Sequence, residues 1–389
     1  MSKIENQTLV PEFRFPHFLD GNNWKAEKLG TLGKVSMCKR ILKSETSSVG
    51  EIPFYKIGTF GKVADAFISR DVFEKYKKKY SYPKKGDVLI SASGTIGRLV
   101  VFDGEESYFQ DSNIVWIDND EKLVTNKFLY YCYQNVNWVG DGNVISRLYN
   151  DNLRNISIFI PSRLEQETIS DCLSSMDDLI SSNEKKLNLL KLHKKGLMQN
   201  LFPEGGKSVP DLRLDGFVED WKKTTFSKLF EIGSGKDHKH LKDGDIPVYG
   251  SGGYMRSVND YLYEGKSACI GRKGTINRPM LLDGKFWTVD TLFYTHSFKN
   301  CIPEFVYLLF QNIDWLKLNE AGGVPSLSKV IIDKVEVFIP EEDEQQEIIN
   351  VIFSLDNLIE RQEMKIETLN KYKEGLMQNL FPSLEGVES

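Results

Sequence analysis

The sequence lacks the features that mark membrane proteins and secreted proteins. No stretch of its 389 residues approaches the run of about eighteen apolar residues that a transmembrane helix requires. The first residues, MSKIENQTLV, have no apolar segment like that of a signal peptide. The five cysteines are odd in number and scattered, and none belongs to a C-x-x-C pair, which argues against a disulfide framework and a thiolate zinc site. We therefore expect a cytoplasmic protein.

Catalytic motifs are also scarce. The GSGKD segment at Gly233–Asp237 has neither the spacing of a phosphate-binding G-x-x-x-x-G-K-[ST] loop nor its Mg²⁺-binding hydroxyl. The HKH segment at His238–His240 has no third ligand at a recognisable spacing, so we predict a solvated loop and no metal site. The N-P-P-[YF] and D-P-P-[YF] tetrapeptides of amino-methyltransferases are missing. These absences predict a chain that is not an enzyme by itself.

One acidic arrangement imitates a nuclease. Asp211 is followed by Asp220 and Lys222, and in a nuclease such carboxylates hold a divalent ion while the lysine supports the attacking water. The corresponding segment of the first half, PEFRFPHFLDGNNWK, has another spacing and no acidic residue two positions before its lysine. We favour a structural role for this segment and keep a nuclease or methyltransferase acting through Asp211, Asp220 and Lys222 as an alternative.

The net charge of −5 is unevenly distributed. Residues 1–155 carry 22 basic against 19 acidic residues, and residues 205–335 carry 18 against 16. Residues 156–204 and 336–389 together hold 10 basic against 20 acidic residues. Two mildly basic blocks therefore alternate with two acidic segments, and the basic blocks are the better candidates for binding nucleic acid.

An internal repeat organises the whole chain. The octapeptide GLMQNLFP occurs at 196–203 and again at 375–382, 179 positions later. At the same offset FIPSRLEQETI (159–169) matches FIPEEDEQQEI (338–348). The preceding blocks repeat more loosely, for example as IPFY and IPVY, or as GDVLISASGTIGR (86–98) and GKSACIGRKGTINR (265–278). The order is therefore block, long segment, block, long segment.

Both long segments have the 4,3 apolar spacing of a coiled-coil helix. Ser162 followed by Glu165 resembles a capping box at the start of the first helix, and Pro203 and Pro382 end the two helices. The predicted seam comprises Ile169, Leu173, Met176, Ile180, Leu187, Leu190, Leu197 and Leu201 in the first helix, and Ile348, Ile352, Leu355, Ile359, Ile366, Leu369, Leu376 and Leu380 in the second.

Polar residues interrupt both seams at equivalent positions. Asn183 and Gln362 form one such pair, and Lys194 and Lys373 form another. They are either solvated gaps in a loose seam or buried polar groups that fix the register of the helices at some cost in stability. The sequence leaves both interpretations open.

The blocks between the helices have the short β-rich runs and turn residues of strands. We predict an α+β fold with two pseudo-repeated, strand-rich α/β domains separated by two long antiparallel helices that form a coiled coil. The predicted boundaries are 1–158 for the first domain, 159–204 for the central helix, 205–337 for the second domain, 338–382 for the C-terminal helix and 383–389 for a tail.

Basic residues interleaved with aromatic ones are typical of nucleic-acid interfaces, because lysine neutralises phosphates while arginine and asparagine bond base edges. The segment KYKKKYSYPKK (75–85) has this pattern, although a solvated surface turn would explain it equally well. The candidates for DNA contact are Lys75, Tyr76, Lys77, Lys78, Lys79, Tyr82, Lys84, Lys85 and Arg98 in the first block, and Tyr249, Tyr254, Arg256, Arg272, Lys273, Asn277 and Arg278 in the second.

The doubled FIP…EQ…I helix openings, the doubled GLMQNLFP helix ends and the paired GTIG and GTIN turns resemble the specificity (S) subunits of type I restriction-modification enzymes. The resemblance covers essentially the whole chain. It implies a non-catalytic subunit whose two target-recognition domains each bind one half of a split double-stranded DNA site. It also implies that the long helices dock two methyltransferase subunits, with restriction-translocase subunits joining the complex. The implied complex uses S-adenosylmethionine, ATP and Mg²⁺ through those partners, and this chain binds no cofactor.

The helix ends are the predicted contacts with the methyltransferase subunits, because coiled-coil packing alone would not require an identical phrase. The predicted docking residues are Gly196, Met198, Gln199, Phe202, Gly375, Met377, Gln378 and Phe381. The alternatives are a specificity subunit of a related restriction system and a coiled-coil scaffold with no DNA role.

Overall fold

Strands and short helices alternate in each half of the chain, in agreement with the turn residues between its apolar runs. The computed structural model describes residues 10–138, 148–203 and 206–382. The first half contains β1 (Lys25–Lys28), α1 (Leu29–Leu32), β2 (Gly33–Ser36), β3 (Thr46–Ser47), β4 (Ile52–Tyr55), β5 (Phe67–Ile68), α2 (Arg70–Lys79), β6 (Val88–Ser91), β7 (Leu99–Val101), β8 (Tyr108–Phe109), β9 (Ile114–Asn119), α3 (Asn126–Gln134), α4 (Asn150–Asn155), β10 (Ser157–Ile160) and the long helix α5 (Arg163–Asn200).

The second half repeats this order with different peripheral elements. It contains β11 (Lys222–Thr225), α6 (Phe226–Leu229), β12 (Glu231–Ser234), β13 (Ile246–Gly250), β14 (Gly253–Val258), β15 (Tyr263–Glu264), β16 (Ser267–Gly271), β17 (Met280–Leu282), β18 (Lys285–Thr288), β19 (Leu292–His296), α7 (Pro303–Asn312), α8 (Lys329–Asp333), β20 (Glu336–Ile339) and the long helix α9 (Glu342–Leu380). Short 3₁₀ helices cover Pro16–Phe18, Lys43–Glu45 and Trp315–Leu318.

The strands pair in equivalent ways in the two halves. Among the described residues, each half has a two-stranded antiparallel ladder, β1–β10 or β11–β20, beside two four-stranded sheets. One sheet has the order β2-β9-β6-β7 in the first half and β12-β19-β16-β17 in the second. The other has the order β3-β5-β4-β8 or β14-β13-β18-β15 and includes the parallel pair β4–β8 or β13–β18. The predicted α+β fold with repeated strand-rich domains is therefore confirmed.

The chain divides into two compact units, Met1–Ser182 with Ile366–Ser389, and Asn183–Lys365. The predicted boundaries treat each long helix as a segment of its own, whereas this division assigns the two ends of each helix to different units. The physical reason is that each helix end packs into the core of a strand-rich domain. The predicted tail, residues 383–389, lies outside the described residues.

The long helices run antiparallel within each unit. In the first unit the Lys373 ammonium lies 2.6 Å from the Asp177 carboxylate, and in the second Lys194 lies 2.5 Å from Asp356. The two ion pairs are equivalent, because the repeat offset of 179 residues converts one into the other. The predicted seam residues are all buried or half-buried, so the predicted antiparallel coiled coil is confirmed.

The polar seam residues are buried and paired with each other. Asn183 and Gln362, which occupy the same position in the two repeats, are both 6% exposed, and the Gln362 amide donates to the side-chain oxygen of Asn183 over 2.8 Å. Because a buried amide is costly without a partner, this bond favours one alignment of the helices over others. The interpretation that buried polar groups fix the register is the one that the structure supports.

The end of α9 completes the core of the first unit. Phe381 stacks on Phe128 with ring centroids 5.5 Å apart and meets Trp24 edge to face at 6.1 Å. Met377 and Leu380 belong to the same cluster of buried side chains. The carbonyl oxygen of Asn379 accepts a hydrogen bond from the backbone N–H of Phe13 over 2.9 Å. The last turns of α9 are therefore an internal part of this unit.

The end of α5 has the same surroundings in the second unit. Phe202 stacks on Phe305 at 5.5 Å and meets Trp221 edge to face at 6.1 Å. The carbonyl oxygen of Asn200 accepts from the backbone N–H of Leu212 over 2.9 Å. The octapeptide is repeated at least in part because two similar cores accept the same side chains.

A buried ion pair joins the segment before the first strand of each unit to the start of a long helix. In the first unit Arg14 bonds both carboxylate oxygens of Glu165 at 2.7 Å, and the Trp24 indole N–H donates to the same carboxylate over 3.3 Å. In the second unit Arg213 bonds Glu344 in the same way at 2.9 Å. The Ser162 hydroxyl caps α5 only weakly, over 3.4 Å, and the carboxylate of Glu165 binds Arg14.

Candidate nucleic-acid interface

Thr291 joins two loops of the second unit. It lies between β18 and β19, and its hydroxyl oxygen accepts a hydrogen bond from the backbone N–H of Ser251, in the turn of the β13–β14 hairpin, over 3.3 Å. Its carbonyl oxygen accepts from the N–H groups of Arg272 and Lys273 over 2.8 and 3.3 Å. Gly274 follows at φ +88°, a left-handed conformation that glycine adopts without strain. The hairpin turn and the β16–β17 turn are thus held side by side.

The β16–β17 turn is anchored from inside and presents its polar side chains to solvent. Ile276 is completely buried, whereas Arg272, Lys273, Asn277 and Arg278 are exposed. These four side chains form no hydrogen bond or ion pair with the described residues. Arginine and asparagine bond guanine and adenine edges bidentately, and lysine neutralises phosphates. The four residues therefore fit contact with DNA.

The β13–β14 hairpin adds an exposed pair at its turn. Tyr254 and Met255 are 62% and 52% exposed. The half-buried Tyr249 packs edge to face on Tyr254 with centroids 6.2 Å apart, so it supports the hairpin. Arg256 is paired with Asp243 at 2.8 Å. Of the three residues predicted here, Tyr254 is the one whose ring faces solvent.

The equivalent turn of the first unit carries different side chains. Ala92 takes the backbone position of Arg272, because its N–H donates to the Asn113 carbonyl over 2.7 Å as Arg272 does to Thr291. Ala92 is 1% exposed. Arg98 is half-buried, and its guanidinium donates to the Phe60 carbonyl over 3.1 Å. The same backbone therefore supports two different surfaces.

The first unit has a basic helix, α2, between β5 and β6, where the second unit has the short strand β15 between β14 and β16. Ser69 caps α2 by accepting from the N–H of Val72 over 3.3 Å, and the completely buried Phe73 fixes one side of the helix. Lys75, Lys78 and Lys79 are exposed at i, i+3 and i+4, so they share one face. No ion pair links these three lysines to any other residue in the described ranges. This face fits a row of DNA phosphates.

The tyrosines of the KYKKKYSYPKK segment are engaged within the unit. The Tyr76 hydroxyl donates to the Glu45 carboxylate over 3.0 Å, and this bond raises the pKa of Tyr76. The Tyr82 hydroxyl donates to the Ser107 carbonyl over 2.9 Å, and burial raises the pKa of Tyr82 to about 12. Both side chains stabilise the unit, and neither offers a free hydroxyl proton to a phosphate.

The other predicted lysines of this segment have mixed surroundings. The Lys77 ammonium lies 5.0 Å from the ring centroid of Phe73, a cation–π contact on the other side of α2. Lys84 is paired with Asp118 at 3.1 Å. Lys85 is exposed. The structure therefore brings together three of the predicted lysines on one face of α2 and places the others elsewhere.

Replacing Lys78 and Lys79 by glutamate should weaken the binding of every DNA sequence and reduce its salt dependence. Each lost phosphate contact should lower the slope of log K against log salt by about 0.9, so the double variant should lose about two units. Titration of duplexes of unrelated sequence at several salt concentrations measures the slope. Lys185→Glu with Lys186→Glu, on the exposed surface of α5, changes the charge equally and serves as the control. An unchanged slope in the α2 variant would remove this helix from the interface.

The predicted docking residues divide into two groups. Met198, Phe202, Met377 and Phe381 are 8%, 3%, 7% and 8% exposed and belong to the cores described above. Gln199 and Gln378 are exposed, and a Cβ atom added at Gly196 or Gly375 would meet nothing within 4 Å. The four apolar side chains therefore have a structural reason to be identical, whereas the glycines and glutamines remain available to a partner.

The residues that imitate a nuclease are each engaged with a different partner. Asp211 is paired with Lys207 at 2.6 Å, and Lys222 is paired with Glu341. The Asp220 carboxylate accepts a long hydrogen bond from the Ser208 hydroxyl over 3.5 Å. In the parts of the chain that the structure describes, no group of three or more His, Cys, Asp or Glu side chains could hold a metal ion. No helix there is long and apolar enough to span a bilayer.

Sequence reasoning missed Thr291 and Met255. Thr291 acts through backbone and hydroxyl bonds that have no sequence signature. Met255, whose side chain is 52% exposed, was missed because a lone methionine beside glycines has no sequence pattern.

Comparison with known proteins gives a consistent result. The family model described as the type I restriction modification DNA specificity domain matches residues 21–192 and again residues 218–371. A Haemophilus influenzae protein named as a type I restriction enzyme specificity subunit, S.HindORF215P, is 60% identical over 166 residues, which cover 42% of this chain and 43% of that protein. The Methanocaldococcus jannaschii type I restriction enzyme MjaVIII specificity subunit is 23% identical over 356 residues, covering 79% and 81%.

A solved structure has the same fold. The S subunit of the type I restriction-modification system from M. genitalium aligns over 97% of this chain and 100% of its own length with a TM-score of 0.64 at 16% identity. The two matched segments establish the class: the chain belongs to the family of type I restriction-modification DNA specificity domains. It is the specificity component of such a system, which is not the catalytic one. The predicted family, fold class and non-catalytic role are confirmed.

Proposed function

We propose that each unit reads one half of an asymmetric, two-part DNA site. The observation that supports this most is the contrast between interior and surface at equivalent positions of the repeat. The helix ends and their buried partners are nearly the same in both units. At equivalent turn positions, however, the first unit has the buried Ala92 and the half-buried Ser93, and the second has the exposed Arg272 and Lys273. The basic helix α2 of the first unit also has no helical counterpart in the second, where the short strand β15 lies between β14 and β16. Two units with the same fold and different surface residues fit the recognition of two different half-sites.

The outer faces of α5 and α9 are the proposed docking surface for two methyltransferase subunits. Leu179 and Leu358, which are equivalent in the repeat, are 43% and 50% exposed, so the same apolar side chain faces solvent on both helices. Gly196 and Gly375 lie on the same helices with open space above them. A repeated surface fits two copies of one partner.

The chemistry of the complex belongs to those partners. We propose that they supply adenine N6-methylation with S-adenosylmethionine and that translocase subunits supply ATP- and Mg²⁺-dependent cleavage. This chain would then act on chromosomal DNA in the cytoplasm and contribute the choice of sequence.

Methylome sequencing of cells with and without this gene tests the proposal. We expect a split, adenine-methylated motif that is present only with the gene. Exchanging residues 209–339 for the corresponding block of another specificity subunit should change one half of that motif and leave the other half intact. A motif that is continuous, or that changes in both halves, would contradict one half-site per unit.

Replacing Gly196 and Gly375 by alanine should separate folding from assembly. In the free chain no contact is lost, and alanine favours a helix by about 1 kcal/mol over glycine at each position, so the melting temperature should rise. If the partners approach closely at the glycines, co-purification with the methyltransferase subunits should fall. Gly322→Ala with Gly323→Ala also adds two Cβ atoms into open space, but outside the long helices, and is the control. Full assembly of the double glycine variant would exclude close approach there.

A further inference from the structure

A cleft in the second unit lies between α5 and the β16–β17 turn. Its volume is 460 Å³, and one wall is a single face of α5 with Lys191, Lys194, Lys195 and Met198 at i, i+3, i+4 and i+7. The other wall includes Asn277 and Arg278. Met198 is 8% exposed and packs in the core of this unit, so the lysine-bearing turn of the helix is held firmly in place.

The cleft carries a surplus of positive charge. Lys191 is paired with Glu363 at 2.6 Å and Lys194 with Asp356 at 2.5 Å. Lys195 and Arg278 are exposed and form no ion pair within the described residues. Two cations therefore remain without a counter-charge. The ion pair between Lys191 and Glu363 is exposed and therefore weak, so a phosphate can replace the Glu363 carboxylate.

The first unit has no such surplus at the equivalent place. The repeat puts Asn370 where the second unit has Lys191, and Glu374 where it has Lys195. Gly97 stands where the second unit has Asn277, and Trp138 packs so closely on that turn that a Cβ atom at Gly97 would lie 2.2 Å from its ring. Arg98 stands where the second unit has Arg278, but it is half-buried and its guanidinium donates to the Phe60 carbonyl over 3.1 Å. The shared fold therefore does not require an exposed cationic cleft, which is a feature of the second unit.

We infer that this cleft binds a phosphate group of the DNA backbone beside the half-site that the second unit reads. Lys195 and Arg278 supply the uncompensated charge, and the Asn277 amide supplies a further donor. This inference rests on the proposed function and adds α5 to the DNA-binding surface, which the β16–β17 turn and the hairpin otherwise form.

The surroundings of the cleft favour a nucleic-acid backbone over other anions. The cleft is open to solvent, because its polar residues Lys191, Lys195, Asn277 and Arg278 are all exposed. An open cleft suits a polymer that passes through it better than a small metabolite that must be enclosed. Arg278 belongs to the same turn as Arg272 and Lys273, so the cleft continues the cationic surface already described. An acidic surface of a partner protein is the competing occupant, and the test distinguishes it.

The test measures DNA binding of Lys195→Glu, Arg278→Glu and Lys186→Glu in the full-length chain. Lys186 is exposed on α5 outside the cleft, so its variant makes the same charge change as Lys195→Glu and is the control for DNA binding. Because Lys186 lies seven residues after Leu179, on the proposed docking face, co-purification of the cleft variants with methyltransferase subunits is compared with that of the unaltered chain. The probe is a labelled duplex of random sequence titrated at several salt concentrations. Each cleft variant should lower the slope of log K against log salt by about one unit, and Lys186→Glu should leave it unchanged. A separate titration with inorganic phosphate, followed by the methyl NMR signal of Met198, reports on a free anion.

Each result decides one question. If the unaltered chain binds the duplex and the cleft variants match Lys186→Glu, the cleft inference is wrong and the proposed function stands. If the unaltered complex binds no duplex, the proposed function itself fails. Loss of methyltransferase co-purification with an unchanged DNA slope would assign the cleft to a protein partner. A shift of the Met198 signal with inorganic phosphate, without any effect of the cleft variants on the duplex slope, would assign the cleft to a free anion. Assignment to a protein partner or to a free anion would overturn the inference.

Discussion

A chain that ends at Lys365 should contain a folded second unit and an unfolded first unit. The missing residues include Met377, Leu380 and Phe381, which are buried in the core of the first unit. Losing one large core side chain costs about 2–5 kcal/mol, so losing three should remove most of the roughly 5–15 kcal/mol that stabilises a typical domain. Hydrogen exchange followed by mass spectrometry should show protected amides in residues 206–365 and rapid exchange in residues 10–138.

Single substitutions provide a matched control for this truncation. Phe381→Ala should destabilise the first unit alone by about 3–5 kcal/mol, and Phe202→Ala should do the same to the second unit, because the two rings have equivalent neighbours. Adding a peptide of residues 366–389 to the shortened chain should restore protection of the first unit. Protected amides in the first unit of the shortened chain without the peptide would show that its core does not depend on the C-terminal helix end.

Replacing Arg14 by methionine should destabilise the first unit by about 3–5 kcal/mol, because Glu165 would be left charged and buried without its partner. Arg14 and Glu165 are 7% and 1% exposed, so water cannot compensate for the lost pair. Thermal unfolding followed by the fluorescence of Trp24, which bonds the same carboxylate, measures the effect.

The double variant Arg14→Met with Glu165→Leu removes both charges and should recover most of the lost stability. Arg213→Met should have a smaller effect on the second unit, because the side chain of Arg213 is 15% exposed. A double variant as unstable as the single one would indicate that the carboxylate is needed for its bonds to other groups, such as the Trp24 indole.

The sequence alone predicts the long helices, because the 4,3 spacing at Ile169, Leu173 and their successors has one physical explanation over such a length. It also predicts the repeated blocks, although their peripheral elements differ. It does not predict that Glu165 binds Arg14 across 151 positions, because a capping box explains the same glutamate locally.

The candidate interface was harder to predict than the fold. Lys78 and Tyr82 belong to one basic, aromatic segment, yet one side chain faces solvent and the other donates to a buried carbonyl. Composition identifies a segment but not the direction of each side chain, which depends on residues far along the chain. The octapeptide GLMQNLFP is equally hard to interpret from sequence. Its apolar side chains pack in a core while its polar side chains face solvent, and only the tertiary structure shows which residues do which.

The division of the long helices between the units has a consequence for protein synthesis. The second unit is one continuous stretch of chain, whereas the first unit needs residues from the end of α9. Domains usually fold in the order in which a ribosome makes them, but here the half that is translated first must be the last to acquire its complete core. We expect nascent chains stalled at successive lengths to resist protease in residues 206–365 before they do so in residues 10–138. Until α9 has been synthesised the first unit lacks part of its core, so the order of translation determines when both units are folded.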